Sequence, residues 1–216
     1  MPVKTKFPAA VAVTLALAGC GGKGQLDVEN GVGITAVRSA CPSVGIPAST
    51  GDVTIFDPPA SRDAAAIDVT ALMTNVRSTC TDSGTDILTT VTFDIRASRM
   101  RGAEARDVTL PYFITVVRGG SAVVAKRIGR VSVHFDAGQL RGSTTGTASA
   151  TVARAAATLP EDVRKRLTER RKAGDSTAAV DPLSAPEVRA AVQRVTFEAL
   201  VGFQLTDEQL KYNATR

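Results

Sequence analysis

The chain has 216 residues, a formal charge of +5, 44% hydrophobic and 4% aromatic residues, three cysteines and one histidine. That length supports one well-cored domain, and the mild charge excludes nucleic acid, whose phosphates demand a concentrated basic surface. The single histidine excludes multi-histidine metal centres, because every other ligand would have to be a carboxylate or a cysteine.

The first element is a leader. Lys4 and Lys6, an apolar run over residues 7–18 and the small residues Ala18 and Gly19 have the three-part layout of a secretory signal over residues 1–19. As a helix the run would span only about 18 Å against a hydrocarbon core of roughly 30 Å, so it is an address and not a membrane span.

Leu17-Ala18-Gly19-Cys20, standing where that run ends, resembles the lipobox of bacterial lipoprotein precursors. The resemblance implies cleavage before Cys20, a diacylglyceryl thioether on its sulfur and acylation of the new amino group. A thiolate is the nucleophile this chemistry needs, and serine could not replace it. At about 0.8 kcal/mol per buried CH₂, several acyl chains hold effectively permanently where one would be reversible.

Cleavage takes Lys4 and Lys6 with the leader and lowers the formal charge from +5 to +3. Residues 20–30, opening Gly21-Gly22-Lys23-Gly24-Gln25, are small and polar and read as a flexible tether. In lipoproteins of this type an Asp after the lipidated cysteine retains the protein in the inner membrane. Gly21 therefore favours the periplasmic face of the outer membrane, although the rule differs between bacterial groups and leaves the inner membrane open.

With Cys20 assigned to lipid, Cys41 and Cys80 remain in a chain addressed to an oxidising compartment, and a disulfide is the simple reading. Two buried thiols, or a metal pair lacking its other ligands, are the alternatives.

From residue 31 to 152 the pattern is β, with β-branched residues, period-two alternation and Gly, Pro, Asp and Ser between runs. Strands are expected over 31–39, 53–56, 67–79, 86–98, 108–118, 121–126, 131–135 and 145–152. The stretch 86–98 alternates most clearly, with Ile87, Thr89, Val91, Phe93 and Ile95 on one face. Gly119-Gly120 between two runs predicts a hairpin with a primed turn, whereas Gly142-Ser143-Thr144-Thr145-Gly146 reads as a turn that lacks the lysine of a phosphate-binding loop.

Helix starts follow at Thr158-Leu159-Pro160-Glu161 and Ser184-Ala185-Pro186-Glu187, each with a hydroxyl residue three before a Glu and Pro in the first turn. The first helix should run to Ala173, with Glu161–Lys165 and Asp162–Arg166 ion pairs and with Val163 and Leu167 as its apolar contacts. Residues 195–205 return to strand spacing, with Val195, Phe197, Val201 and Phe203 on one face. Thr206-Asp207-Glu208-Gln209 is a third capping box, opening a helix pinned by Leu210 and Tyr212.

The sum is a mainly β fold: an immunoglobulin-like two-sheet antiparallel sandwich over residues 31–205, with a helical insertion at 158–193 and a short C-terminal helix in 206–216. The tryptophan of antibody-type domains is missing, so the strand order is left open. The segments at 111–117 and 202–213 are similar to parts of uncharacterised envelope lipoproteins of alphaproteobacteria, a resemblance that implies no reaction, cofactor or catalytic residue.

No catalytic set emerges from the residues. His134, between Val133 and Phe135, is expected to face solvent with no serine partner. Asp52, Asp57, Asp94, Glu104, Asp107 and Asp136 could meet in space as a glycoside-cleaving carboxylate pair, although nothing in their spacing says so. Two basic clusters remain, Arg96, Arg99, Arg101 and Arg106, and Arg164, Lys165, Arg166, Arg170, Arg171 and Lys172; either could contact anionic lipid or simply be a solvated face. The function expected is that of a non-enzymatic binding or assembly module held to a membrane through its lipid anchor, with envelope proteins or anionic lipid as partners. A carboxylate-dependent hydrolase of envelope glycans is the alternative.

Overall fold

The computed structural model describes residues 39–102, 104–172 and 174–215. The leader, Cys20, the tether and all but the last residue of the strand expected at 31–39 lie outside them. Eight strands occur among the described residues: β1 (Ser43–Gly45), β2 (Asp52–Phe56), β3 (Ile67–Asp82), β4 (Asp86–Arg99), β5 (Arg106–Arg118), β6 (Ala122–Phe135), β7 (Arg141–Ala153) and β8 (Phe197–Phe203).

They form two four-stranded sheets, ordered β1-β8-β5-β6 and β2-β3-β4-β7, packed as the expected sandwich. Alternation builds the core. Ile87, Thr89, Val91, Phe93 and Ile95 of β4 are all buried, and Val108, Leu110, Ile114, Val116, Val133, Phe135, Val201 and Phe203 face them from the other sheet. Each such large side chain taken out of water contributes about 1.5–3 kcal/mol.

One pairing departs from the antiparallel expectation. The three residues of β1 run parallel to β8, Ser43 opposite Glu198, because the entering chain travels in the direction of β8 along its open edge.

Gly119 and Gly120 both have positive φ, 64° and 80°, as the primed turn requires. The runs expected at 121–126 and 131–135 are one continuous β6, which carries a register shift opposite Val116 and Val117. That edge strand exposes Val123, Val124 and Ile128. The shift and the neighbouring Lys126, Arg127 and Arg130 are devices that discourage edge-to-edge pairing.

Between β7 and β8 the helices differ from expectation in their bounds and caps. A single turn, α1 (Arg154–Ala157), opens the insertion; α2 covers Glu161–Thr168 and α3 covers Pro186–Val195. Val195 therefore ends a helix and does not begin the strand. α2 stops five residues short of Ala173, since the positions one turn beyond Leu167 are Arg170 and Arg171, which cannot be buried with it.

Neither expected cap forms here. Thr158 donates its hydroxyl back to the Arg154 carbonyl, while Ser184 lies within a 3₁₀ turn (Pro182–Ser184) capped by Asp181. Glu161 pairs with Arg164 at 2.5 Å in place of Lys165, and Arg166 pairs across to Glu187 at 3.3 Å in place of Asp162. Val163 and Leu167 of α2 meet Val188, Ala191 and Val192 of α3 in a small second core, as the apolar spacing requires.

The third capping box forms as read. The Gln209 amide donates to Thr206 Oγ1 at 3.2 Å and the Thr206 amide to Gln209 Oε1 at 2.9 Å, opening α4 (Asp207–Thr215). Tyr212 pins the helix edge-on to Phe56, with ring centres 5.2 Å apart. Leu210, expected to help, is exposed, and Asn213 takes its place by donating to the carbonyls of Ser49 and Asp52.

Cys41 and Cys80 form a disulfide with Cα atoms 6.1 Å apart, so the first of the three readings of this pair holds. It ties the chain just before β1 to the last turn of β3, at the same end as the Gly119-Gly120 hairpin and the helical insertion. The bridge spans 39 positions of sequence, so replacing both cysteines by alanine should cost about 3–4 kcal/mol through the freed unfolded chain. Urea unfolding checks this: a lowered midpoint is expected, and an unchanged one would contradict it.

Candidate functional site

The opposite end of the sandwich, where β4, β5, β6 and β7 turn, carries most of the buried polar chemistry. Arg99 closes β4 at only 4% exposure. Its Nε donates to the backbone carbonyl of Gln139 at 2.8 Å, Nη1 to that of Glu104 at 2.6 Å, and Nη2 to those of Asp136 at 2.8 Å and Gly102 at 3.3 Å. The guanidinium also lies 5.1 Å from the centre of the Phe135 ring. Its charge is thus held by backbone dipoles and a π-face, without a carboxylate among these contacts.

Arg106 makes a two-pronged pair with Asp68, at 3.0 and 2.8 Å, which joins the start of β5 in one sheet to the start of β3 in the other. Arg101 lies 4.0 Å from Asp57. The expected basic cluster of Arg96, Arg99, Arg101 and Arg106 therefore does not form one surface. Arg99 and Arg106 are committed to holding the fold, and Arg96 faces solvent from β4.

His134 is exposed on its strand, as expected, but it does not stand alone. Asp107, directly opposite on β5, accepts from Nδ1 at 2.8 Å, and Asp136 lies 3.3 Å from Nε2. The hydrogen bond and charge of Asp107, aided by Asp136, hold the imidazole pKa above its ordinary value. Both ring nitrogens are engaged by carboxylates, which leaves none to activate a hydroxyl nucleophile.

Of the six carboxylates singled out in the sequence, Asp107 and Asp136 come together about this histidine. Their side chains are 67% and 81% exposed on an open strand end rather than facing into a cleft. Asp94 is engaged by Asn75 at 2.8 Å and Thr145 at 3.1 Å, and Asp57 by Arg101. No group of three or more His, Cys, Asp or Glu side chains among the described residues is arranged to hold a metal ion.

The segment 142–146 is strand, not turn. Glycine is required there by packing: a β-carbon on Gly146 would sit 2.3 Å from the Phe93 ring, and one on Gly142 would sit 2.6 Å from the His134 carbonyl. The strand thereby completes an outward face on the β2-β3-β4-β7 sheet that sequence reasoning had broken at this point.

Register aligns that face in rows across β3, β4 and β7: Thr70, Ser98 and Arg141; Leu72, Arg96 and Ser143; Thr74, Asp94 and Thr145; Arg77, Thr92 and Thr147; Thr79, Thr90 and Ser149. The result is a carpet of hydroxyls interrupted by a few charges. Around Arg96, Ser98, Arg141 and Ser143 it dips into a shallow depression of about 550 Å³.

The second basic cluster is dispersed. Arg164, Lys165 and Arg166 step around α2 at roughly 100° each, and Arg164 and Arg166 are paired with Glu161 and Glu187. Arg170, Arg171 and Lys172 follow beyond the helix end, where Arg171 donates to the carbonyls of Thr177 and Val180 and the Lys172 amide to the Asp175 carboxylate.

A pocket of about 240 Å³ lies where α4 meets β2, lined by Thr54, Phe56, Pro59, Arg62, Glu208 and Tyr212 among others. Its rings are taken up internally: Arg62 covers the Phe56 face at 5.1 Å and closes the rim through a 2.7 Å pair with Glu208. It is a docking seam for the helix, smaller than the roughly 300–1,000 Å³ usual for ligand sites. No protein-family model, curated protein or solved structure matches this chain.

The raised His134 pKa has a definite sign in stability. A histidine that binds its proton more tightly folded than unfolded stabilises the fold fully below its unfolded pKa, near 6.5, and loses that contribution as pH rises through the folded value. The stability difference between the parent chain and His134→Gln should therefore be largest near pH 5–6 and shrink towards pH 8. Urea titrations across that range test this, and a pH-independent difference would refute it.

Proposed function

We propose that this chain is a lipid-anchored protein of the bacterial envelope, facing the periplasm from the outer membrane, whose sandwich acts as a binding or assembly module. The lipobox from Leu17 to Cys20 supports the anchor. The observation that carries the reading is the Cys41–Cys80 bridge. A disulfide belongs to an oxidising compartment, and this one fastens the chain arriving from Cys20 to β3 before it enters the three-residue strand β1. Tension between anchor and domain would pass to a long strand through a covalent bond and bypass a short edge pairing.

The polar network supports a binding role over a catalytic one. Asp107 and Asp136 flank a histidine on an open face, where a glycoside-cleaving pair needs a concave site to hold a sugar and exclude water. No helix among the described residues is long and apolar enough to cross a membrane.

Metabolic labelling tests the proposal. Cells expressing the chain and fed labelled palmitate should yield a labelled product with its amino terminus at position 20, and Cys20→Ala should carry no label and leave the membrane fraction. An unlabelled parent chain, or a mature start elsewhere, would sink the reading.

A further inference from the structure

We infer that the outer face of the β2-β3-β4-β7 sheet, at Arg96 and Arg141, binds a phosphate-bearing glycan. Register sets Arg96 opposite Ser143 and Arg141 opposite Ser98, so the two arginines sit on one diagonal. Diagonal positions are about 7–8 Å apart, near enough for two guanidinium forks to converge on one phosphoryl group. All four side chains are exposed. Neither guanidinium has an ion-pair or hydrogen-bond partner among the described residues. The acid nearest in the grid, Asp94, is engaged by Asn75 and Thr145 instead.

The rest of the face selects the kind of molecule that carries the phosphate. Thr70, Thr92 and Thr147 extend the depression with hydroxyls able to donate and to accept, while Thr74 and Thr145, whose hydroxyl hydrogens go to Asp94, add acceptors. The rows hold no aromatic side chain, and their aliphatic members near the arginines reduce to Leu72. Protein interfaces anchor on clustered aromatic and aliphatic groups, whereas the exposed apolar side chains of this face, Leu72 and Leu88, stand apart on different strands. A ligand rich in hydroxyls, with anionic groups spaced along it, complements the surface directly.

The inference rests on the binding-module reading, but its test does not depend on the lipid. Full-length protein extracted in detergent is passed over immobilised dextran phosphate and over unmodified dextran. The parent chain should bind only the phosphorylated polymer, and Arg96→Gln with Arg141→Gln should weaken binding at least about tenfold, the loss of two charge-assisted contacts. Ser98→Ala with Ser143→Ala should weaken it about threefold, while Lys165→Gln with Arg170→Gln, on the helical insertion, should stay within about twofold.

A parent chain that ignores dextran phosphate overturns the assignment. So does a loss of affinity in the insertion variant equal to that in the Arg96 and Arg141 variant, which would indicate general charge attraction. Both arginines are exposed, so the variants should melt with the parent. Failure here leaves the anchoring reading intact, and failure of palmitate labelling leaves this site standing.

Discussion

Burying an arginine without a carboxylate beside it is costly unless its donors find acceptors, and at Arg99 four backbone carbonyls from two loops supply them. The loops after β4 and after β6 are thereby fastened to one side chain. Two backbone bonds extend the clamp, from the Arg99 amide to the Leu140 carbonyl and from Gly138 to Gly102. The β4 and β7 ends that carry Arg96, Ser98, Arg141 and Ser143 are held in register next to it. A shallow face can recognise a ligand only if its donors keep their spacing, and this clamp fixes it.

The two ends of the sandwich divide the work. At one, the disulfide receives the entering chain, the insertion builds its own small core, and Arg154 pairs with Asp82 to hold α1 against the end of β3. At the other are the Arg99 clamp and the Arg106–Asp68 pair between sheets, with α4 and its Asn213 contacts fastened to β2 and the chain before it. An anchor attached before Cys41 would leave the second end directed away from the point of attachment, with the hydroxyl-rich face beside it.

Periodicity made the strands legible, because a half-buried strand must alternate and β4 does so without exception from Ile87 to Ile95. The capping box at Thr206 was legible because both of its bonds are local. The boxes at Thr158 and Ser184 had the same letters and failed, since Thr158 is drawn to α1 and Ser184 to a preceding turn. Local rules lose when a neighbouring element claims the residue that would cap. The glycines at 142 and 146 misled for a related reason: they answer to Phe93 and to the His134 carbonyl, residues distant in sequence.

The roles of the arginines were the least legible. Nothing local distinguishes Arg99, buried among carbonyls, from Arg96, exposed three residues earlier, except strand parity, which puts odd positions of β4 inside. Applied to the charged residues as it was to the apolar ones, that parity separates them. Likewise Asp107 and His134 are joined only by the β5–β6 register, which the Gly119-Gly120 turn and the later register shift together determine.

Hydrogen exchange on Arg99→Leu and Arg99→Lys tests the clamp most directly. If Arg99 fastens the two loops, the amides of Met100 and Gly138 should exchange at least about tenfold faster in the leucine variant, while those of Val116 and Ala199 keep their protection. Lysine, with one ammonium for several carbonyls, should fall between. Unchanged protection at Met100 and Gly138, or an equal loss across every strand, would contradict the account.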